Sequence, residues 1–277
     1  MLSVLKKAKS SGIVQEPFPH IIICGAVEAE VYGELEQTFP SSEILTHGRR
    51  LAGKERYGYS AEDVICNPRI DPLWQSFFSY HASREFLEEV VSLFGPSIRK
   101  AHPNLEGRLG RKLSELRSNV RFCGPMTDIA MDVQFIYNGP SDSPTRIIGP
   151  HLDRPVALYA GLFYLREPGD HSTGGDLELW RFINNKRVFE SGKRTVPERF
   201  AELVETIAYE ANTFVLFPHS IDALHAVSIR SPSQHPRLHV NLIADFAEPI
   251  YSLEDYPVAF ADDLGRVRTS HGLSDHG

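Results

Sequence analysis

The chain has 277 residues, of which 42% are hydrophobic and 23% charged, a composition typical of a soluble globular protein that can bury a sizeable core. The net charge of −7 argues against general nucleic-acid binding, and no apolar run approaches the roughly 20 residues that cross a bilayer. No signal-type apolar region follows Met1, so we expect a cytoplasmic protein without nucleic-acid or membrane partners. The oligomeric state is left open.

The three cysteines are Cys24, Cys66 and Cys123. They are odd in number and widely spaced, so they form neither a metal-ligand pair nor a disulfide framework. We expect buried or partly buried free thiols in a reducing compartment.

The N-terminal part, residues 1–126, is predicted to be mainly helical. Apolar residues recur at helical spacing within Glu28–Phe39. Asp71-Pro72 is a helix start, and a second amphipathic pattern follows it and closes at Gly95-Pro96. The polar, glycine-containing stretch His47–Tyr59 is predicted to be a loop.

Residues 127–260 predict short antiparallel strands, because alternating segments rich in β-formers are separated by turn signals. The segments are Met131–Tyr137, Leu158–Leu165, Asp176–Phe182, Glu205–Tyr209, Thr213–Phe217, Ala223–Ile229 and Arg237–Phe246. Residues 261–277 are predicted to be a polar, frayed tail. With no long linker, residues 1–277 predict one α+β domain, mainly β, in which a helical N-terminal layer supports a sandwich or barrel.

His151 and Asp153 are the first candidate metal ligands. In an extended chain, residues i and i+2 point to the same side, so one imidazole and one carboxylate can meet at one point. His225 is the favoured third ligand, because it lies in an apolar strand-like segment, whereas His219 follows a proline in a predicted turn. Two histidines and one carboxylate leave coordination positions open, a set that suits iron(II) oxygen chemistry.

Arg237 starts the last long predicted strand and shares a face with His239 and Asn241. An arginine inside a β-barrel is costly unless it meets an anion, and its planar fork fits a carboxylate. A dicarboxylate that chelates the metal at one end and meets Arg237 at the other would satisfy both groups, as 2-oxoglutarate would.

The order of these motifs resembles the double-stranded β-helix (jelly-roll or cupin-like) of the iron(II)/2-oxoglutarate oxygenases, nearest to their prolyl-hydroxylase-like branch. The segments that carry the resemblance are Val133–Asn138, His151–Asp153, Ala160–Leu165, Gly174–Leu179, Phe214–Pro218, His225–Val227 and Arg237. The resemblance implies that iron(II), 2-oxoglutarate and O2 are used to oxidise a C–H bond, with hydroxylation the default and release of succinate and CO2.

The resemblance also implies roles for single residues. His151, Asp153 and His225 would ligate iron, and Arg237 would bind the distal carboxylate of 2-oxoglutarate. Tyr137, on the strand before the metal motif, resembles the tyrosine that often hydrogen-bonds that carboxylate.

Two further positions, Asn241 and His239, would line the same pocket. Many relatives carry a small hydroxyl residue where this chain has His239. Halogenating relatives replace the ligand carboxylate, so Asp153 argues against halogenation.

The substrate is expected to be a small molecule, and an anionic one if the arginines of segments 47–56 and 99–121 reach the barrel mouth. Arg154, Phe163 and Trp180 are predicted to lie near that mouth. Three alternatives stay open: a peptidyl substrate, a cupin-like metal enzyme that does not use 2-oxoglutarate, and a non-catalytic binding protein on this fold. Gly174-Gly175 predicts a tight turn rather than a phosphate loop, because no P-loop lysine follows.

Overall fold

The computed structural model describes residues 2–49, 55–262 and 267–269. Its helices are α1 (Ala29–Gln37), α2 (Ser42–Leu45), α3 (Ala61–Ile65), α4 (Pro72–His81), α5 (Arg84–Ala101) and α6 (Leu105–Leu109). The Asp71 carboxylate caps α4, as the sequence predicts, by accepting from the Leu73 amide. The Ser83 hydroxyl caps α5 by accepting from the Phe86 amide. No helix in these described ranges is long and apolar enough to cross a membrane.

Helix α5 does not close at Gly95-Pro96, which corrects the sequence prediction. It runs on to Ala101 with Pro96 inside it. The apolar face continues past the proline through the buried Ile98, and this packing keeps the chain helical at a residue that weakens an isolated helix.

The strands are β1 (Ile21–Cys24), β2 (Arg56–Tyr59), β3 (Ser118–Val120), β4 (Ile129–Asn138), β5 (Ala157–Tyr164), β6 (Leu177–Phe182), β7 (Arg187–Glu190), β8 (Ala201–Ile207), β9 (Thr213–Pro218), β10 (His225–Val227), β11 (Arg237–Phe246), β12 (Val258–Ala261) and β13 (Val267–Thr269). A seven-stranded sheet has the order β1-β9-β5-β11-β4-β2, with β3 beside β4. A second sheet has the order β10-β6-β8, and a third has the order β13-β12-β7.

The first two sheets pack face to face. Side chains of β5 and β9, such as Ala160 and Phe217, share an apolar cluster with Leu177 and Leu179 of β6. The large sheet contains β4, β11, β5 and β9 as neighbours, and the segment at His151 pairs with β10 at the edge of the second sheet. This antiparallel arrangement of two wound sheets is the double-stranded β-helix that the sequence predicts.

The large sheet has a second apolar face, which the helical layer covers. Phe135 of β4 lies between helix α4 side chains, with ring centroids 4.8 Å from Trp74 and 4.5 Å from Phe78. In β11, Leu238 and Val240 belong to this helix-facing cluster. Because side chains alternate along a strand, Arg237, His239 and Asn241 face the opposite way, into the space between the sheets.

Three sequence predictions need correction. Arg56–Tyr59, expected in a loop, pairs with β4 as an edge strand, because β4 offers it an unpaired edge. Val267–Thr269, expected in a frayed tail, pairs with β12; residues 263–266 and 270–277 of that tail lie outside the described residues. The three cysteines are free as predicted, but all are exposed rather than buried.

Candidate active site

His151 and His225 are held side by side by their own backbones. The His151 amide donates to the His225 carbonyl (2.9 Å), and the His225 amide donates to the His151 carbonyl (3.1 Å). This two-way bridge joins the segment before β5 to β10 and brings the ring centroids within 4.3 Å of each other. Residues far apart in the chain therefore present adjacent imidazoles.

Both imidazoles have the tautomer that a metal needs. Nδ1 of His151 lies 2.9 Å from the Gly149 carbonyl, and Nδ1 of His225 lies 3.0 Å from the Ala223 carbonyl. Because a carbonyl only accepts, each Nδ1 must carry the proton and donate it. In a neutral ring Nε2 then carries the lone pair that a metal takes, and such backing hydrogen bonds are usual for metal-bound histidines.

Asp153 completes the group. Its Oδ1 lies 3.5 Å from His151 Nε2 and its Oδ2 lies 3.6 Å from His225 Nε2. One ligand atom from each of the three residues lies within 4.8 Å of the others. The Asp153 side chain is 38% exposed, so the carboxylate borders the solvent-accessible opening.

The charges also suit a divalent cation. Burial lowers the pKa of His225 to about 4, so its imidazole is neutral near pH 7. Burial alone would raise the pKa of Asp153, but the surrounding histidines His225, His151 and His219 together hold that pKa well below its ordinary value. An ionised carboxylate and neutral nitrogen donors without thiolate are the donor set of non-haem iron(II) sites, and the residues present fit that metal.

Arg237 lies in the same interior and is fixed from several sides. It is 3% exposed, its Nε donates to the Gly175 carbonyl (2.7 Å), and its Nη1 donates to His239 Nδ1 (3.1 Å). The guanidinium carbon stands 5.4 Å from the ring centre of Tyr164 and 4.8 Å from that of Tyr209. These contacts determine the orientation of the Arg237 guanidinium group.

Two buried polar atoms beside this arginine have no partner among the described residues. They are Nη2 of Arg237 and the hydroxyl oxygen of Tyr164. Burial raises the pKa of Tyr164 to about 12, against the opposing effect of Arg237, so the hydroxyl keeps its proton and can donate. Two buried donors without an acceptor are costly unless an anion such as a carboxylate receives them.

His239 and Asn241 share the interior face with Arg237, as the sequence predicts. His239 accepts the Arg237 hydrogen bond at Nδ1, so its proton lies on Nε2. Burial, then the charges of Arg237 and Arg56, hold the pKa of His239 well below its ordinary value, so the ring is neutral. Asn241 stands opposite Leu162 and Gln134 on the neighbouring strands.

The structure corrects the predicted places of Tyr137 and Phe163. Tyr137 stands opposite Leu238, so it faces the helical layer and not Arg237. Phe163 stands opposite Val240 and stacks on Phe77 of α4 at 5.6 Å. Each residue lies one position away from an interior one, and side chains alternate between faces.

Trp180 is also displaced from its predicted place, whereas Arg154 is exposed and its predicted place at the mouth stays a prediction. Trp180 is 8% exposed and its Nε1 donates to Glu178 (3.2 Å), so it shares the face of Glu178 rather than that of Leu179, which stands opposite His225. Arg154 is 55% exposed at its side chain and pairs with the Asp245 carboxylate.

Sequence reasoning missed Tyr164 and Tyr209, and it named Arg56 only as one of the arginines of segment 47–56. Tyr164 stands opposite His239, and Arg56 stands opposite Asn138, which in turn stands opposite Arg237. These positions follow from the register between strands, which cannot be read from the sequence. The available signal for Tyr164 was its place in the strand-like segment Ala160–Leu165, which did not show the face on which its side chain lies.

No protein-family model matches the sequence, and no curated protein matches it. Solved structures do resemble it. A prolyl-4-hydroxylase from Pseudomonas putida is 13% identical, with 82% of this chain and 92% of that chain covered and a TM-score of 0.41. A 2OG-Fe(II) oxygenase family protein from Burkholderia pseudomallei is 12% identical, with 83% and 86% covered and a TM-score of 0.40.

The non-haem α-ketoglutarate-dependent epimerase SnoN from nogalamycin biosynthesis is 10% identical, with 85% of this chain and 80% of that chain covered and a TM-score of 0.42. The names of these proteins fall within the group that the order of motifs resembles. All three TM-scores lie below 0.5, so the function proposed below rests on the residues of the site.

Proposed function

We propose that this protein is an iron(II)- and 2-oxoglutarate-dependent oxygenase. One observation carries the proposal: a histidine–aspartate–histidine group with free Nε2 atoms shares its barrel interior with a buried arginine whose Nη2 has no partner among the described residues. A metal alone would explain the first group and an anion alone the second. A 2-oxo dicarboxylate that binds both at once explains the pair.

The chain's own residues have distinct roles in this proposal. His151, Asp153 and His225 would hold the metal. Arg237 and Tyr164 bind the distal carboxylate of 2-oxoglutarate with charge-assisted hydrogen bonds. Bound iron supplies the redox chemistry by which O2 and 2-oxoglutarate give succinate and CO2, with one oxygen atom entering each of succinate and the substrate.

His239 positions Arg237 and stays uncharged while doing so. Its Nδ1 receives the Nη1 hydrogen of Arg237, so one prong of the fork is fixed and Nη2 remains for the ligand. A protonated His239 could not accept that hydrogen and would place a second positive charge beside the guanidinium. The low pKa of His239 therefore matches its part in the pocket.

The test is an anaerobic titration of the purified protein with iron(II) and then 2-oxoglutarate, followed by visible absorption. A charge-transfer band that appears only with both, and that needs a higher 2-oxoglutarate concentration in Arg237→Leu, supports the proposal. Iron binding without any effect of 2-oxoglutarate would favour a cupin-like metal enzyme. No iron binding would favour a non-catalytic binding protein.

For the substrate we propose a small anionic molecule, on the evidence of Arg56. Its side chain makes no hydrogen bond or ion pair with the described part of the chain. The residue is exposed on edge strand β2, where it stands opposite Asn138, which in turn stands opposite Arg237. Desolvation lowers the pKa of Arg56, Asp153 raises it and Arg237 lowers it, so its guanidinium lies within electrostatic reach of both. Arg121 and Arg154, by contrast, are already paired with Asp245.

Succinate release tests this choice with pairs of candidate small molecules that differ only in charge, a carboxylic acid and its methyl ester. The wild-type protein should be stimulated more by the acid, and Arg56→Gln should lose that preference. Equal stimulation by acid and ester, or stimulation only by peptides, would contradict the anionic small-molecule proposal and favour the peptidyl alternative.

A further inference from the structure

A further histidine, His219, lies against the candidate metal group. Its side chain is 1% exposed, and its Nε2 lies 3.2 Å from Asp153 Oδ2. Neither ring nitrogen makes a hydrogen bond of good geometry within the described residues. A buried imidazole without hydrogen-bond partners lowers the stability of the fold by about 1–3 kcal/mol. The nearby Asp153 carboxylate oxygen is the available partner for it.

Two hydrogen bonds hold the backbone of His219 and so fix the point from which its side chain extends. Its amide donates to the Leu158 carbonyl (2.9 Å), and its carbonyl accepts from His102 Nε2 (2.8 Å). His102 in turn stacks on Tyr251, with ring centroids 5.8 Å apart. These contacts hold His219 in place beside the Asp153 carboxylate.

His219 approaches the carboxylate from outside the ligand group. The mutually close set among the described residues consists of His151, Asp153 and His225. The ring centroids of His219 and His225 are 6.4 Å apart, against 4.3 Å for His151 and His225. This placement suits a residue that holds Asp153 rather than one that binds the metal.

We propose that His219 donates its Nε2 hydrogen to Asp153 Oδ2 and thereby makes Asp153 a one-oxygen ligand. This inference rests on the proposed function. Oδ1, 3.5 Å from His151 Nε2, is then the oxygen left for the metal. A carboxylate that bound through both oxygens would occupy one more coordination position. The donor from His219 keeps that position available for the 2-oxo acid or O2, and His219 is a positioning residue.

The test compares two variants that fill the same space but differ in the donor. His219→Gln keeps an N–H of similar reach, and His219→Leu removes it. Loss of an outer hydrogen bond to a metal ligand typically costs 10- to 100-fold in metal affinity. We therefore expect His219→Leu to bind cobalt(II), a spectroscopic substitute for iron(II), roughly 10- to 100-fold more weakly than the wild type. His219→Gln should recover most of that loss.

The chain offers a matched control in His20. It is fully buried, and its Nε2 lies 3.1 Å from Glu205 Oε2 on another part of the barrel. His20→Leu should leave cobalt(II) affinity and the visible cobalt spectrum unchanged. Thermal unfolding of the metal-free variants, measured alongside, shows that each chain is folded before its metal affinity is compared.

The outcomes separate this inference from the proposed function. A wild-type protein that binds no cobalt(II) would refute the proposed metal site itself. A wild-type protein that binds cobalt(II) while His219→Leu binds it equally well, with the same spectrum, would overturn only the role of His219. Proton NMR of the cobalt(II) form adds a second check, because a shifted ring N–H from a third coordinated histidine would mean that His219 is a ligand.

Discussion

The Tyr164 hydroxyl provides a direct test of the candidate co-substrate pocket. Tyr164→Phe removes one oxygen atom and leaves the ring that covers the Arg237 guanidinium at 5.4 Å. That oxygen is buried and has no hydrogen-bond partner among the described residues. In the proposed function its partner is the distal carboxylate of 2-oxoglutarate.

The expected effect has two parts with different signs. A hydrogen bond to a charged group contributes about 1.5–3 kcal/mol, so the Kd for 2-oxoglutarate should rise roughly 10- to 150-fold. The free energy of unfolding without ligand should stay the same or rise by up to about 1 kcal/mol, because an unpaired buried hydroxyl is removed. A residue needed only for packing would not give weaker binding together with unchanged stability.

The assay measures 2-oxoglutarate binding to the iron(II)-loaded protein under anaerobic conditions, with thermal unfolding of the metal-free protein beside it. Tyr137→Phe is the matched control, because Tyr137 faces the helical layer. The Kd of this variant for 2-oxoglutarate should stay within about twofold of the wild-type value. If Tyr164→Phe bound 2-oxoglutarate like the wild type, or if Tyr137→Phe were the weaker binder, the proposed pocket would be wrong.

Other predictions address the candidate metal ligand Asp153, the turn at Gly174 and the pH dependence of stability due to His81. Asp153→Ala should abolish iron(II) binding and succinate release while the melting temperature of the metal-free protein stays close to that of the wild type. Gly174→Ala should lower the free energy of unfolding by more than about 2 kcal/mol, because φ is +75° and a Cβ would lie 1.9 Å from the Ile229 carbonyl oxygen; Gly107→Ala, where a Cβ meets nothing within 4 Å, is the control in denaturant titrations. Burial lowers the pKa of His81 to about 3, below its unfolded value, so its contribution to stability is lost as pH falls from about 6.5 towards 3. When the pH is lowered from about 7.5 to about 5, the free energy of unfolding of the wild type should fall by about 2 kcal/mol more than that of His81→Gln. Denaturant unfolding at the two pH values measures this difference.

Local signals predicted the helical layer well. The cap at Asp71 acts within two residues of its own position, so the sequence displays it directly. The strand Arg56–Tyr59 was missed because it forms only by pairing with β4, a partner distant in the chain. Continuation of α5 past Pro96 was missed for a similar reason, since it depends on tertiary packing of Ile98.

Local sequence spacing predicted only part of the candidate metal group. His151 and Asp153 share a side because they are two positions apart in extended chain, and that spacing is visible in the sequence. The proximity of His225 depends on a backbone bridge to His151, which the sequence does not show. His219, weighed from the sequence as a competing ligand and set aside as a turn residue, lies beside the same carboxylate.

The errors at Tyr137 and Phe163 have one physical cause. Strands β4 and β5 are buried on almost every residue, because the helical layer covers one face and the second sheet covers the other. Alternation of polar and apolar residues then no longer marks the interior face, and a shift of one residue reverses it. Cross-strand partners remove this ambiguity: Tyr164 stands opposite His239, the neighbour of Arg237, and Tyr137 stands opposite Leu238. Of two tyrosines that the sequence does not distinguish, register therefore places one beside Arg237 in the proposed co-substrate pocket and the other in the supporting core.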